Sequence, residues 1–222
     1  MDKSWEIFIK KAKEFNIDLT DKQVEQFQKY REFLYEYNKH TNLVSSAELD
    51  VVLSKHFADS LSIGLLEKEL DLNSAKTALD IGIGGGFPGV PIIIAYPQLK
   101  LCAVDSVGKK TEFLSQLSEV INIADRIEII NSRAEEIIKQ PDKREFFDIA
   151  ASRAVSRLNI LLEYTLPFVK VGGFFVAYKA KTFQEEIDEA KQALSILGGE
   201  IVKIADYTLS NEERKLIYNF AA

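Results

Sequence analysis

A chain of 222 residues with 46% hydrophobic and 28% charged residues has the composition of an ordinary globular protein, long enough for one large domain or one domain with an appendage. A formal net charge of −6 argues against a strong free-standing nucleic-acid binder, although a local basic surface remains open. One cysteine and two histidines, far from any acidic cluster, offer no zinc site, and Cys102 reads as a small core residue in a reducing compartment.

The chain opens with helical patterns. Trp5 to Phe15 is charged and amphipathic, unlike a signal peptide. Thr20-x-x-Gln23 is a capping box, and Val24, Phe27, Tyr30, Leu34 and Tyr37 follow at helical spacing, a stripe read as core packing. Ser45-x-x-Glu48 is a second capping box, expected to open a helix through Val52, Phe57 and Leu61. Residues 1–73 are therefore expected to form a helical segment packed on a main domain of residues 74–222, beside the sheet near its glycine-rich turn and on the substrate side.

From Lys76 the pattern alternates between strand and helix. Strands are expected at 77–81, 100–105, 127–131, 147–152, 173–179, 201–207 and 214–220, with helices at about 89–95, 108–121, 133–139, 155–168 and 182–197. Such alternation implies an α/β fold, a parallel sheet with helices on both faces. Only Ser210-Asn211-Glu212-Glu213 separates the last two strands, so they are expected to form a hairpin with one antiparallel edge strand. The longest apolar run, Val90 to Tyr96, is far too short to cross a bilayer, and a cytoplasmic location is expected.

The most informative stretch is Asp80-Ile81-Gly82-Ile83-Gly84-Gly85-Gly86-Phe87-Pro88-Gly89, with Asp105 ending the next strand. Glycines after a strand let the backbone turn tightly and approach a ligand, and an acid at the end of the second strand suits a ribose diol. The spacing is G-x-G-x-G, and Pro88 and Pro91 each remove an N–H that a pyrophosphate would need at a helix N-terminus. The cofactor expected is therefore phosphate-free at this turn, and S-adenosylmethionine fits. Seven strands ending in a hairpin form the Rossmann-like layout of class I S-adenosylmethionine-dependent methyltransferases, here with an N-terminal helical extension.

Several separated motifs carry a more specific likeness. They are Asn38-Lys39-His40-Thr41-Asn42-Leu43, Lys55-His56-Phe57-Ala58-Asp59-Ser60-Leu61, the turn from Asp80 to Pro91, and Val104-Asp105-Ser106-Val107-Gly108-Lys109-Lys110. Ser132-Arg133-Ala134-Glu135-Glu136, Ser152-Arg153-Ala154-Val155 and Gly172-Gly173-Phe174 leading to Tyr178-Lys179-Ala180 follow. With these the chain resembles, over nearly its whole length, the small-subunit ribosomal RNA methyltransferase G family, also called glucose-inhibited division protein B. Ile83 and Ala180 depart from the usual pattern, which favours a small hydroxyl residue and a glycine there.

The resemblance implies methylation of N7 of a guanine in 16S rRNA, guanine 527, within the small ribosomal subunit. It also implies cofactor roles for Gly82, Phe87, Ala134, Glu135 and Arg153, beside Asp105 on the ribose. Asp80, Gly84, Gly86 and Ser106 complete the expected cofactor set. N7 already has a lone pair, so no general base is required; His56 is expected to be structural, bonding near Asp59 one helical turn away, although its motif also permits an RNA-facing role. Arg133, Arg153, Arg157, Lys179 and Lys181 fall at or just after strand ends, and Lys109 and Lys110 open a helix, so a basic rim facing RNA is expected on an acidic body. No metal and no membrane contact are expected, and the protein is expected to be a monomer. The competing readings are a small-molecule methyltransferase, an NAD-linked dehydrogenase, and a non-enzymatic RNA-binding assembly factor. The prolines and terminal hairpin disfavour the dehydrogenase, and intact glycines with Asp105 disfavour a disused pocket.

Overall fold

The computed structural model describes residues 3–41, 43–45, 49–153, 156–180, 184–209 and 212–221. Asn42, Glu48, Ala154, Val155, Lys181, Ser210 and Asn211, all used in the sequence reading, lie outside them.

Seven strands form one sheet: β1 (Thr77–Ile81), β2 (Lys100–Asp105), β3 (Ile127–Asn131), β4 (Phe147–Arg153), β5 (Val169–Ala180), β6 (Gly199–Leu209) and β7 (Glu212–Ala221). Their order is β3-β2-β1-β4-β5-β7-β6. The first five pair in parallel, and β7 pairs antiparallel with both β5 and β6. The expected antiparallel edge strand is thus corrected. The antiparallel strand is interior, and β6 is the edge. The helical crossover after β5 carries the chain one strand-width too far, and the hairpin folds β7 back into the gap.

The helices of the main domain are α3 (Gly89–Ala95), α4 (Gly108–Val120), α5 (Ala134–Ile137), α6 (Leu158–Thr165) and α7 (Gln184–Leu197). Two apolar clusters lie on the two faces of the sheet. Leu161, Leu162, Phe175 and Ala190 mark one, and Ala103, Phe113, Leu117 and Val176 the other.

The second cluster also takes in the N-terminal helices α1 (Lys3–Glu14) and α2 (Asp21–Thr41). Trp5, Phe8, Phe27 and Phe57 form a chain of rings with centroids 5.0–5.9 Å apart. The capping box is formed as read, with the Thr20 N–H donating to Gln23 Oε1 at 2.8 Å and the Gln23 N–H to Thr20 Oγ1 at 3.3 Å. The same Gln23 side chain donates to the carbonyls of Ile94 and Ala95 at the end of α3, and Gln26 donates to Ile121 O just past α4. Carbonyls at a helix C-terminus have no partner within the helix. Two buried amides of α2 supply partners, which fixes that helix over the sheet.

The helix expected through Val52, Phe57 and Leu61 is not a regular α-helix. Val52–Phe57 is a π turn, followed by an α turn at Ala58–Leu61, a 3₁₀ turn at Ser62–Leu66 and a last α turn at Glu67–Leu70. A π turn inserts one residue per turn, and such bulges gather at functional sites. Here it lets Phe57 enter the core while its neighbour His56 faces Phe87 and Arg153.

The lower end of the sheet is tied by Asp148. Its Oδ2 accepts from the Lys76 and Thr77 N–H groups and the Thr77 hydroxyl at 2.8–2.9 Å, and its Oδ1 from Lys170 at 2.6 Å. Burial pushes this carboxyl up, but the Lys170 ammonium and the other donors outweigh it and hold it down at about 2, against 3.8 ordinarily. The folded value lies below the unfolded one, so the stabilisation is complete above the unfolded value and fades as pH falls through the folded one. Asp148→Asn is expected to lose about 2 kcal/mol at pH 7, a deficit that shrinks as pH falls from about 4 toward 2, as urea titrations would show.

Candidate active site

The glycine turn leaves β1 at its carboxyl end and is built on three positive-φ glycines, Gly82, Gly84 and Gly86. Five of its N–H groups are turned inward. Gly82 and Ile83 donate to Val104 O, Gly84 to Asp105 Oδ2 at 3.0 Å, and Gly86 and Phe87 to Ile83 O. At the start of α3, Pro88 and Pro91 have no N–H, Gly89 donates to Asp80 Oδ2 at 2.7 Å and Val90 to Gly86 O at 2.9 Å. The four amide positions that would greet a pyrophosphate are thus absent or occupied.

Asp80 lies behind the turn, fully buried, and does not border the cavity described next. Its Oδ1 has no hydrogen-bond partner among the described residues. Burial pushes its carboxyl up to about 7, with the Gly89 N–H and Arg153 opposing. Its visible job is to hold the start of α3 against the turn.

A cavity of about 470 Å³ opens at the carboxyl ends of β1, β2 and β3. Of the expected cofactor residues it brings together Gly82, Asp105, Ser106, Ala134 and Glu135, with Lys110 and Arg133 from the expected RNA-facing set. Gly84, Gly86, Phe87 and Arg153 lie outside its lining. Asp105 is 4% exposed; its Oδ1 accepts from the Val107 N–H at 2.9 Å, and its Oδ2 from Gly84 and, more distantly, Lys110 Nζ at 3.4 Å. A carboxylate has about four acceptor positions, so one is open and the long Lys110 contact is the one a diol would displace. Ala134 opens α5, where the first N–H groups lack intrahelical acceptors. The Glu135 backbone N–H, the Tyr164 hydroxyl and the charges of Arg133 and Lys139 pull its carboxyl below the ordinary range. Tyr164, on α6, lines the cavity and was not anticipated; no spacing in the sequence marks it.

Beyond the turn, on the β4 side, lies a second polar group. Arg153 Nη1 donates to Asp59 Oδ2 at 3.1 Å, and its Nη2 lies 2.7 Å from His56 Nδ1. The guanidinium sits over the Phe87 ring at 5.1 Å, and His56 stacks on that ring at 4.9 Å. A guanidinium only donates, so Nδ1 of His56 accepts and its proton rests on Nε2. His56 is thus joined to Asp59 through Arg153, in keeping with the expected structural role near Asp59, and the π turn aims its Nδ1 at β4.

The basic rim is partly neutralised. Arg157 pairs with Glu189 at 2.7 Å, Lys179 with Glu186 at 2.7 Å, Arg153 with Asp59 and Lys110 with Asp105. Lys109 reaches Thr41 O at 3.3 Å, and Lys181 lies outside the described residues. Among the described residues no three His, Cys, Asp or Glu side chains gather as a metal site would need, and no helix is long and apolar enough to cross a membrane.

The profile of the family described as rRNA small subunit methyltransferase G matches residues 23–217. The chain belongs to that family. It is 41% identical over 212 residues to the ribosomal RNA small subunit methyltransferase G of Leuconostoc mesenteroides, covering 96% of this chain and 88% of the relative. It is 43% identical over 208 residues to that of a Thermoanaerobacter species, covering 94% and 85%. Among solved structures, an O-methyltransferase from Bacillus cereus in complex with SAH aligns with a TM-score of 0.60 at 15% identity, over 87% of this chain and 90% of that one. Cofactor-bound Rv0187 from MTB aligns with a TM-score of 0.60 at 14% identity, over 89% of each chain. These two likenesses establish the class I methyltransferase fold.

As a member of the methyltransferase G family the protein is an enzyme that uses S-adenosylmethionine, and the residues present fit that cofactor. The turn and the start of α3 offer no phosphate cradle, and a buried carboxylate stands at the end of β2 where a ribose belongs.

Proposed function

We propose that the protein transfers a methyl group from S-adenosylmethionine to N7 of a guanine in 16S rRNA, guanine 527, as arranged in the small ribosomal subunit. The observation that carries the cofactor half is the phosphate-free accounting around the glycine turn; family membership carries the substrate half. In this reading Gly82, Asp105, Ser106, Ala134 and Glu135 hold the adenosine end, and Phe87 and Arg153 stand toward the amino-acid end. Bound there, the cofactor supplies an electrophilic methyl group.

The chain's own residues need only bring the nucleophile into line. N7 carries its lone pair before attack, so catalysis rests on positioning, which is worth several kcal/mol when the reacting atoms are held in line. His56 accepts from Arg153 through Nδ1 and carries its proton on Nε2, an arrangement suited to structure and not to proton removal. Side chains reach the deep major-groove edge of an RNA helix poorly, so the target is a loop base or one turned out of its stack.

A rim with Lys110, Arg153, Arg157 and Lys179 engaged by acids, on a chain of net charge −6, suits RNA already arranged by ribosomal proteins better than naked RNA. Residues 1–73 form, in this reading, a helical segment on the substrate side of a 74–222 catalytic domain; the enzyme works as a cytoplasmic monomer. The test is incubation with methyl-labelled S-adenosylmethionine and small subunits lacking the modification. Label is expected at N7 of one guanine, with weaker labelling of naked rRNA at physiological salt. Label on another atom, or equal labelling of naked rRNA, would refute the corresponding part.

A further inference from the structure

A buried polar cluster joins three elements far apart in the chain. Asp59, in the helical run before β1, accepts from Arg153 on β4 and, at 2.7 Å, from the hydroxyl of Tyr207 on the edge strand β6. Asp59 is 3% exposed and Tyr207 9%. We propose that Asp59 is a positioning residue for methyl transfer, anchored by Tyr207, which fixes the Arg153 guanidinium beside the last residue of the glycine turn. This rests on the reading above that Arg153 stands at the amino-acid end of the cofactor.

Stability alone is a weak reason for such a pair. Taking two charges out of water costs about as much as their attraction returns, and apolar replacements of similar volume are often no less stable. What the cluster supplies is orientation. Asp59 holds one end of the fork at 3.1 Å, His56 Nδ1 lies 2.7 Å from the other, and the plane lies over Phe87 at 5.1 Å. Among the described residues two of the five guanidinium N–H donors are so engaged. Phe87 is itself stacked on Tyr30 at 5.6 Å and 12° and on His56 at 4.9 Å and 26°. The guanidinium is thereby referenced to the turn on one side and, through Asp59 and Tyr207, to the far edge of the sheet on the other.

Among the described residues Asp59 is the side chain that bonds both Tyr207 and Arg153, so the effects of Tyr207 and Asp59 on cofactor binding are expected to run through Arg153. Calorimetric titration with S-adenosylhomocysteine tests this in single and double variants, with urea melts for each protein. Asp59→Asn keeps the shape and an acceptor oxygen but removes the negative charge of the pair, and is expected to weaken binding about tenfold; Tyr207→Phe, which removes one hydroxyl and should fold normally, about threefold. In an Arg153→Ala background both substitutions are expected to have no further effect on affinity, whatever they do to stability. Equal losses with and without Arg153, or no loss with it, would overturn the positioning role. Unchanged affinity in Arg153→Ala alone would instead overturn the placement of Arg153 at the cofactor, and the proposal with it.

Discussion

Asp105→Ala is expected to raise the dissociation constant for S-adenosylhomocysteine about 100-fold. The carboxylate stands at the end of β2, where, in the proposed reading, a ribose diol would donate two hydroxyls. Hydrogen bonds to a charged acceptor contribute about 1.5–3 kcal/mol each, so losing two amounts to at least about 3 kcal/mol. A second loss compounds the first. Asp105 is also the acceptor for the Gly84 and Val107 N–H groups, so it orders the turn and the start of the following loop before any ligand arrives. Asp105→Asn retains an acceptor oxygen but turns its other terminus into a donor facing those N–H groups, and is expected to lose nearly as much. Ser106→Ala, at the same cavity, should stay within a few-fold. Calorimetry on the three variants decides the matter, and near-native affinity in Asp105→Ala would remove the ribose from this corner.

The parts of this molecule that follow local rules could be read in advance. The limits of β1, β2, β3 and α3 match their expected ranges, because each is a short apolar run bounded by charged or turn residues. The cavity at the carboxyl ends of β1, β2 and β3 lies where a rule about parallel strands puts it, which needs only strand positions. Other features depend on what meets what across the chain. β5 begins at Val169, before its glycines, since Gly172 takes a φ of +79 within the strand where the sequence suggests a break. The interior place of β7 depends on how far a crossover helix carries the chain, which no local pattern records. The π turn is one residue of register, invisible to a period of 3.6. Asp59 and Arg153 are 94 residues apart, and Tyr164 shares the cavity with Glu135 although the two lie on different helices. Asp80 is the instructive case. Its position before the glycines marks it as part of the site, but its carboxylate faces the buried start of α3.

Gly86→Ala is expected to be the most destructive single-methyl change in the turn, costing roughly 4 kcal/mol. Gly86 has φ +102, outside the small left-handed region that other residues tolerate, and a Cβ there would lie 2.2 Å from the Tyr30 hydroxyl oxygen. Backbone strain of this kind costs about 1–3 kcal/mol and overpacking about 1–3 kcal/mol more. The Tyr30 hydroxyl cannot simply move away. It donates to Gly85 O and its ring is fully buried between Phe57 and Phe87. Gly84→Ala is the control. Its φ of +58 is ordinary left-handed backbone, and the nearest atom to a new Cβ is Gly82 O at 3.8 Å, so it should cost only about 1 kcal/mol. Tyr30→Phe added to Gly86→Ala removes the closest atom but leaves the φ, and is expected to recover about 1–2 kcal/mol of the loss. Urea denaturation of the two single variants and the double variant separates these contributions. Equal costs for Gly84→Ala and Gly86→Ala would mean that the turn tolerates a shift of Tyr30, and that the stack linking α2 through Phe87 to Arg153 is not the rigid reference that cofactor placement requires.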